Sequence, residues 1–384
     1  MTRPVDSGKM EGGVQGGVLP KITYCTNIHP GESWAEIFAA VRRHAPLVKE
    51  RVSPDVLFPI GLRLSGRAVG EMSLEDAKEF HRWCGEGGFY VATINGFPYG
   101  IFHNTPVKQD VYMPDWRFAE RLDYTGKIAE LLTTWLPENM TGSISTVPVG
   151  FRSCIGPDDF TTVKKHIEAA LDHLDRLAEK TGREILLSIE PEPGCVVETT
   201  RDVVDLFDRL ALSPARQRRL AVCYDCCHQA LQFEDPAASL RLLADHGIRI
   251  GHVQVSSALR LADPRIDLLK RFQEPWYLHQ TVGRTKDGGL LRYDDLDLAI
   301  SAAPAEVEEW RVHFHVPVFM DGTRECGTTR FFLQEILPLF PEDMALEVET
   351  YTWTILPPDL QSGPVTDCLI REIEWVIKTI GKSI

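Results

Sequence analysis

The stretches EILLSIEPEPG (184–194), LAVCYDCCH (220–228) and IRIGHVQVS (248–256) decide the fold of this chain. Each is a short apolar run, and an ionisable residue interrupts or ends it. Runs that are apolar on both faces indicate strands of a parallel sheet that is covered by helices. Amphipathic segments separate the three runs, so strand and helix alternate here.

The same alternation extends outward from these runs along the chain. Helical patterns occupy 33–49, a segment that begins at Ser73, 115–135, 158–181, 199–211, 235–245, 294–301, 329–337 and 365–380. Besides the three runs above, strand candidates occupy 22–28, 57–65, 89–97, 142–150, 311–319 and 344–352. About eight β/α units in one chain favour an α/β fold of the (β/α)8 TIM-barrel type. Nine strand candidates are one too many, so one is either an extra strand or no strand.

The chain shows no linker that would divide it. We therefore expect a flexible Gly-rich tail at 1–20 and a single barrel domain at 21–384. The long non-periodic stretch 257–310 is interpreted as an insertion, and such a loop in a barrel often forms an active-site lid.

Composition excludes several classes of function. The chain has 384 residues and a formal net charge of −14, which argues against nucleic acid as a partner. An apolar run of about 18 residues is absent from the sequence, so we expect no membrane insertion. The N-terminus lacks the apolar core of a signal peptide, and the nine cysteines are scattered and odd in number. Both features predict a cytoplasmic protein with reduced thiols.

Ionisable residues stand where the later strands end. Glu190, Asp225 and His252 lie in or after the three quoted runs, and Glu347 and Glu349 share one face of the last strand. An unpaired buried carboxylate costs on the order of several kcal/mol, which a divalent cation removes by coordination. Salt bridges and a hydrogen-bonded core histidine are the alternatives. A mixed oxygen and nitrogen shell suits Mn²⁺, and also Mg²⁺, Co²⁺, Fe²⁺ or Zn²⁺.

These motifs resemble the metal-ligand strands of the xylose-isomerase-like TIM-barrel superfamily, which includes sugar isomerases and ketose epimerases. The resemblance implies a metal held by Glu190, Asp225, His252 and a glutamate of the last strand. Glu349 fits that last position better than Glu347. Glu190 and Glu349 are then candidates for proton removal, and His228, which follows Asp225 by three residues, would orient the ligands or shuttle protons.

A closer resemblance covers nearly the whole chain. The strings TYCTNIHPGESW (23–34), TINGFPYGIFH (93–103), VYMPDWR (111–117), HFHVPVF (313–319) and LEVETYTW (346–353) look like the TIM-barrel family of the bacterial Ebo gene cluster. That family is described as a metabolite-traffic protein. The resemblance implies a link to the maturation or traffic of a secondary metabolite.

Other polar residues near predicted strand ends are candidates for substrate binding: Arg63, Asn95, His279 and His315. Arg63 would hold an anionic substrate group, or else anchor a buried carboxylate. His313 and His315 share a strand face and could supply a further ligand or a base. We therefore expect a metal-dependent isomerase or epimerase that acts on an oxygenated small molecule. A metal-dependent hydrolase and a non-catalytic metabolite carrier are the alternatives, and the chain could form a homo-oligomer.

Overall fold

The computed structural model of the protein describes residues 21–381, so the predicted tail at 1–20 lies outside the described residues. In chain order the strands are β1 Ile22–Tyr24, β2 Phe58–Arg63, β3 Phe89–Asn95, β4 Thr141–Thr146, β5 Glu184–Ile189, β6 Leu220–Asp225, β7 Arg249–Val255, β8 Ser257–Leu261, β9 Thr281–Thr285, β10 Leu290–Tyr293, β11 Val307–Val316, β12 Gly327–Thr328 and β13 Leu346–Val348. The α-helices are α1 Trp34–Val52, α2 Gly66–Glu71, α3 Leu74–Gly87, α4 Ala119–Trp135, α5 Phe160–Thr181, α6 Thr200–Leu210, α7 Pro214–Gln217, α8 Cys226–Leu231, α9 Pro236–Asp245, α10 Leu296–Ala302, α11 Arg330–Ile336 and α12 Val365–Thr379.

Eight of these strands form one parallel sheet in the order β1-β13-β7-β6-β5-β4-β3-β2. A further parallel bridge between Cys25 and Gly61 connects the β1 side of the sheet to β2 and brings the two edges together. Helices alternate with these strands along the chain, which buries both faces of each strand. The predicted TIM barrel is therefore confirmed.

The helices begin where the sequence supplies capping side chains. Ser73 and Asp76 form a capping box at the start of α3, and this helix ends at Gly88, whose φ of 69° suits glycine. Ser33 and Glu36 make the same arrangement at the start of α1. The predicted helices correspond to α1, α3, α4, α5, α6, α9, α10, α11 and α12, whereas the short helices α2, α7 and α8 were not among the predicted segments.

The ninth strand candidate belongs to a second sheet rather than to the barrel. Five strands between Ser257 and Thr328 form an antiparallel sheet in the order β10-β9-β11-β8-β12. The run 311–319 supplies most of β11, its central strand. The inserted segment therefore extends beyond residue 310 to include β11 and β12, and it brings His313 and His315 to the end of the barrel where the strands terminate.

None of the helices between residues 21 and 381 is long and apolar enough to cross a membrane.

Candidate metal centre

A cavity lies at the carboxyl ends of the barrel strands, where active sites of such barrels are found. It encloses about 500 Å³ of space outside protein atoms, including its open mouth. Its lining combines aromatic walls with a polar floor: Asn27, Asn95, Phe97, Pro98, Phe102, Lys108, Val111, Tyr112, Glu190, Glu192, His228, Tyr277, Leu278, His313, His315, Glu349 and Tyr351.

Carboxylates from three strands of the barrel meet at this floor. Glu190 follows β5, Asp225 ends β6 and Glu349 follows β13, and one oxygen of each lies within 4.8 Å of the others. All three side chains are buried. The barrel geometry thus brings together residues that are far apart in the sequence.

The electrostatics of this group are unfavourable without a counter-charge. Burial raises the pKa of Glu190 well above its usual range, and the nearby charges of Asp225 and Glu192 raise it further. Burial also raises the pKa of Glu349 well above its usual range, and the nearby charges of Glu190 and Asp225 raise it further. Burial also opposes ionisation of Asp225, but the pKa of this carboxyl is lowered, because the nearby His228 and His315 and the hydrogen bonds from the His228 backbone and Ser256 together outweigh burial.

The donor set fits a divalent cation. Oε2 of Glu190 and Oδ2 of Asp225 are buried and have no hydrogen-bond partner. Native proteins rarely leave buried polar atoms unpaired, so these two oxygens require an explanation. Hard oxygen ligands of this kind are what Mg²⁺ and Mn²⁺ prefer, and a cation between them would offset the mutual repulsion of the carboxylates.

Neighbouring side chains orient the carboxylates. Oε1 of Glu349 accepts hydrogen bonds from Nδ2 of Asn27 at 2.7 Å and from Nδ2 of Asn95 at 3.1 Å. Oδ1 of Asp225 accepts from Oγ of Ser256 at 2.8 Å and from the backbone N–H of His228 at 2.9 Å. One oxygen of Asp225 is thereby occupied and the other is left free.

The structure distinguishes the two glutamates of the last strand. Glu347 is also interior, but it accepts a hydrogen bond from Oγ1 of Thr93 and faces Gly61 inside the barrel. It does not join the group of three carboxylates, whereas Glu349 does. The structure thus places Glu349, and not Glu347, beside Glu190 and Asp225.

His252 is not brought to this group. It lies on β7 opposite Cys223 of β6, whereas Asp225 is opposite Gln254. Its Nδ1 is 2.7 Å from Oγ of Ser143, and its Nε2 is 3.2 Å from Sγ of Cys223. Burial lowers the pKa of this imidazole to about 3, as expected for a neutral core histidine. The described residues include no group of candidate ligands that contains it.

The other predicted site residues separate into two sets. His228, His315 and Asn95 line the cavity. Arg63 does not: its guanidinium pairs with Glu32 at 2.8 Å and donates to the carbonyls of Gly31 and Gly100.

His279 also lies outside the lining. Its ring contacts the carbonyl oxygen of His313 and Oε1 of Glu274, both at 2.7 Å. Arg63 and His279 therefore hold loops together in this structure instead of presenting a free polar group to the cavity.

Glu192 is a site residue that the sequence analysis missed. It lines the cavity, and its Oε1 accepts a hydrogen bond from the hydroxyl of Tyr112 at 2.8 Å. A signal was present in the sequence, because Glu192 follows Glu190 by two residues in the same EPEPG turn. Tyr112, which also lines the cavity, was not predicted either, because its segment has no regular pattern. Gln280 was also not predicted, and its Nε2 donates to the hydroxyl of Tyr112 at 2.7 Å.

Comparisons with known proteins agree with this architecture. The family described as xylose isomerase-like TIM barrel matches residues 60–284. A xylose isomerase-like TIM-barrel protein from Mycobacterium smegmatis, solved with magnesium, superposes with a TM-score of 0.53 at 10% identity over 94% of this chain and 97% of that one. A search of curated proteins gave no match.

Two further structures have names that refer to enzymes. The probable 3-DHS dehydratase AsbF from Bacillus anthracis gives a TM-score of 0.50 at 14% identity, and a D-tagatose 3-epimerase-like protein gives 0.50 at 12%. Each alignment covers 94% of this chain and 98% of the other. At such identities these similarities establish the fold alone. Since the family match spans more than half of its length, the chain belongs to the xylose isomerase-like TIM-barrel family.

Proposed function

We propose that this protein is a divalent-metal-dependent enzyme of the isomerase or epimerase type. The observation that carries the proposal is the group of three buried carboxylates, Glu190, Asp225 and Glu349, with two unpartnered oxygens at the floor of a cavity. These three residues would hold the cation. When bound, it would supply Lewis-acid polarisation of a substrate oxygen. Mn²⁺, Mg²⁺, Co²⁺, Fe²⁺ and Zn²⁺ all remain candidates.

The residues around the floor have distinct roles in this proposal. Glu190 and Glu349 are the candidates to take a proton from a substrate carbon and return it, because general bases must lie within reach of that carbon. Asn27 and Asn95 orient Glu349. His228 donates through Nδ1 to the carbonyl of Pro191 at 2.8 Å, so its ring is fixed facing the cavity.

The cavity favours an uncharged, oxygenated substrate. Among the described residues that line it, Lys108 is the one lysine or arginine, and its Nζ pairs with Asp295 at 2.6 Å. A phosphate or carboxylate group usually binds a guanidinium fork, and Arg63 is engaged elsewhere. Hydroxyl groups could instead contact Asn95, whose Oδ1 has no partner. The aromatic walls would pack against the carbon skeleton.

We extend the proposal to secondary metabolism because of where the distinctive sequence strings lie. Phe97 and Phe102 come from TINGFPYGIFH, His313 and His315 come from HFHVPVF, and Glu349 comes from LEVETYTW, and all of them line the cavity. A family that shares these strings would share the shape of the cavity. A cytoplasmic location and a homo-oligomeric state stay predictions of the sequence.

Solvent-exchange measurements test the proposed reaction. Metal-stripped protein is reloaded with Mn²⁺ in D₂O and incubated with a panel of ketoses and cyclic hydroxyketones, and deuterium incorporation is followed by NMR. We expect exchange at the carbon beside the carbonyl for at least one substrate. Glu190→Gln should abolish it, and the exposed control Glu50→Gln should not change it.

Two results would contradict the proposal. One is failure of the wild-type protein to retain Mn²⁺ after dialysis. The other is phosphate release from simple esters without any carbon exchange, which would favour the hydrolase alternative.

A further inference from the structure

A cluster of three histidines stands beside the carboxylates and is built largely by the inserted sheet. His228 comes from α8 of the barrel, whereas His313 and His315 come from β11. Nε2 of His313 lies 3.1 Å from Nε2 of His228 and 3.1 Å from Nε2 of His315. All three side chains are buried.

The hydrogen bonds at the opposite ring nitrogens determine where the protons are. Nδ1 of His228 is 2.8 Å from the carbonyl oxygen of Pro191, and Nδ1 of His315 is 2.9 Å from the carbonyl oxygen of Glu349. A carbonyl oxygen can only accept, so both Nδ1 atoms carry hydrogen. In a neutral imidazole the other nitrogen, Nε2, is then an acceptor with a lone pair.

The same reasoning applies to His313. Its Nδ1 is 2.7 Å from Oε1 of Gln280. The orientation of this amide is fixed on its other side, because Nε2 of Gln280 donates to the carbonyl of Pro193 at 2.9 Å. Nδ1 of His313 therefore also donates, and its Nε2 also presents a lone pair.

In both contacts of 3.1 Å, therefore, two acceptor nitrogens face each other without a hydrogen between them. The hydroxyl of Tyr351 lies 3.4 Å from Nε2 of His313 and could donate one hydrogen, which leaves the other nitrogens without a donor. Such buried lone pairs are unfavourable unless a donor or a cation satisfies them. One added proton would serve only one of the two contacts, whereas a cation can bind all three nitrogens. Two nitrogens bound to one tetrahedral Zn²⁺ at 2.0–2.1 Å lie roughly 3.3 Å apart, close to the spacing observed.

Other ligand atoms surround this cluster. Glu192 forms a group with His228 and His313 in which all ligand atoms lie within 4.8 Å, and Cys227 forms such a group with His313 and His315. Asp225 does so with His228 and His315, which places the cluster next to the carboxylates. We infer that His228, His313 and His315 form a second cation site, for a nitrogen-preferring divalent ion of the Zn²⁺ or Co²⁺ type.

This inference goes beyond the proposed function and does not depend on it. The carboxylate site uses residues of the barrel alone, whereas the histidine site needs two residues of the inserted sheet. Imidazole suits Zn²⁺ and Co²⁺, and carboxylate oxygens suit Mg²⁺ and Mn²⁺, so the two sites should differ in metal preference.

Co²⁺ is the probe that separates the two sites. Full-length protein is stripped of metal, supplied with excess Mg²⁺ and titrated with Co²⁺. We expect one Co²⁺ per chain, with the strong visible absorption of a low-coordinate, nitrogen-rich complex. His313→Asn should weaken this binding by more than about 100-fold, because loss of a residue that only supports a ligand costs roughly 10- to 100-fold.

Matched variants keep the test decisive. The exposed His246→Asn should bind Co²⁺ like the wild type. Glu190→Gln should lose Mn²⁺, as measured by EPR, yet retain the Co²⁺ spectrum. If His313→Asn fails to fold, His228→Asn gives the same readout from the barrel side.

The inference is overturned if the wild type shows no Co²⁺ absorption under excess Mg²⁺, or if His313→Asn and His228→Asn both leave it unchanged. If the wild type bound Co²⁺ but not Mn²⁺, this result would contradict the proposed function but not the inferred histidine site.

Discussion

The side-chain amide of Asn27 donates a hydrogen bond to Oε1 of Glu349 over 2.7 Å. Asn27 follows β1 and Glu349 follows β13, so this bond joins the beginning of the barrel to its end directly at the carboxylate floor. The bond also restricts rotation of the Glu349 carboxylate, so this carboxylate can bind a cation without further ordering.

Replacement of Asn27 by Ala should therefore weaken metal binding at the carboxylates. The loss of an orienting partner of this kind costs roughly 10- to 100-fold in metal affinity, and we expect Mn²⁺ affinity to fall within that range. EPR titration with Mn²⁺ measures it. The Co²⁺ site should be unaffected, and an unchanged Mn²⁺ affinity would show that Asn27 has no such role.

Gly61 in β2 provides a test of the barrel interior. A Cβ at this position would come within 2.3 Å of Cδ of Glu347. Since Glu347 is completely buried, it has little room to move, and Gly61→Ala should destabilise the protein by about 1–3 kcal/mol or more. Urea unfolding measures the change.

Gly70 is the matched control for this substitution. It lies in α2, and an added Cβ would have no neighbour within 4 Å. Gly70→Ala should stabilise the protein by roughly 0.5–1 kcal/mol through helix propensity. Equal effects of the two substitutions would contradict the packing that we describe around Glu347.

Much of the barrel could be predicted from the sequence because its strands are buried on both faces. The continuous apolar runs marked all eight strands of the parallel sheet, and the ionisable residues Glu190 and Asp225 stood out at their ends. It could not be predicted in this way that the run 311–319 pairs in the second, antiparallel sheet and not in the barrel. A buried strand of an inserted antiparallel sheet has the same local pattern as a barrel strand, and pairing partners are not visible in a single strand.

The roles of Arg63 and His279 depend on contacts that no local pattern encodes. Arg63, the last residue of β2, pairs with Glu32, which lies 31 residues earlier in the loop before α1. His279 is held by Glu274 and by the backbone of β11. Contacts with neighbouring loops and with β11 decide in which direction both side chains point.

Glu372 in α12 should make stability depend on pH. Burial raises the pKa of this carboxyl to about 7, from 4.5. The folded state thus holds the proton more tightly than the unfolded state. The stabilising effect is complete below pH 4.5, is lost as pH rises from about 4.5 to 7, and stays lost above that.

Glu372→Gln tests this dependence. Glutamine can still accept from Oγ1 of Thr350 and from the backbone N–H of Val318, which Oε1 of Glu372 now does at 2.7 and 3.1 Å. Because the amide does not ionise, the variant should be more stable than the wild type at pH 8, by up to about 3 kcal/mol, since each pKa unit corresponds to about 1.4 kcal/mol. The advantage should vanish near pH 4.5 in urea unfolding. Glu50→Gln is the exposed control, and a constant difference at all pH values would refute the assignment.

The position of His252 along the barrel axis could not be predicted from the sequence. Its side chain lies in the barrel interior, where it contacts Ser143 of β4. Its level depends on the register between strands, which pairs it with Cys223, two residues before Asp225. At that level it is hydrogen-bonded to Ser143 and lies in the layer below the carboxylates.

A substitution at His252 decides whether it is a metal ligand. We expect His252→Gln to lower the free energy of unfolding by about 1–3 kcal/mol, because its buried partners Ser143 and Cys223 lose a well-fitted imidazole. Mn²⁺ affinity of the folded variant should stay within about threefold of the wild type, whereas the loss of a true ligand would exceed the roughly 10- to 100-fold effect of a supporting residue. EPR titration and urea unfolding on the same preparation separate the two effects. A large loss of Mn²⁺ affinity with normal stability would make His252 a ligand and would require β7 to sit higher in the metal-loaded barrel.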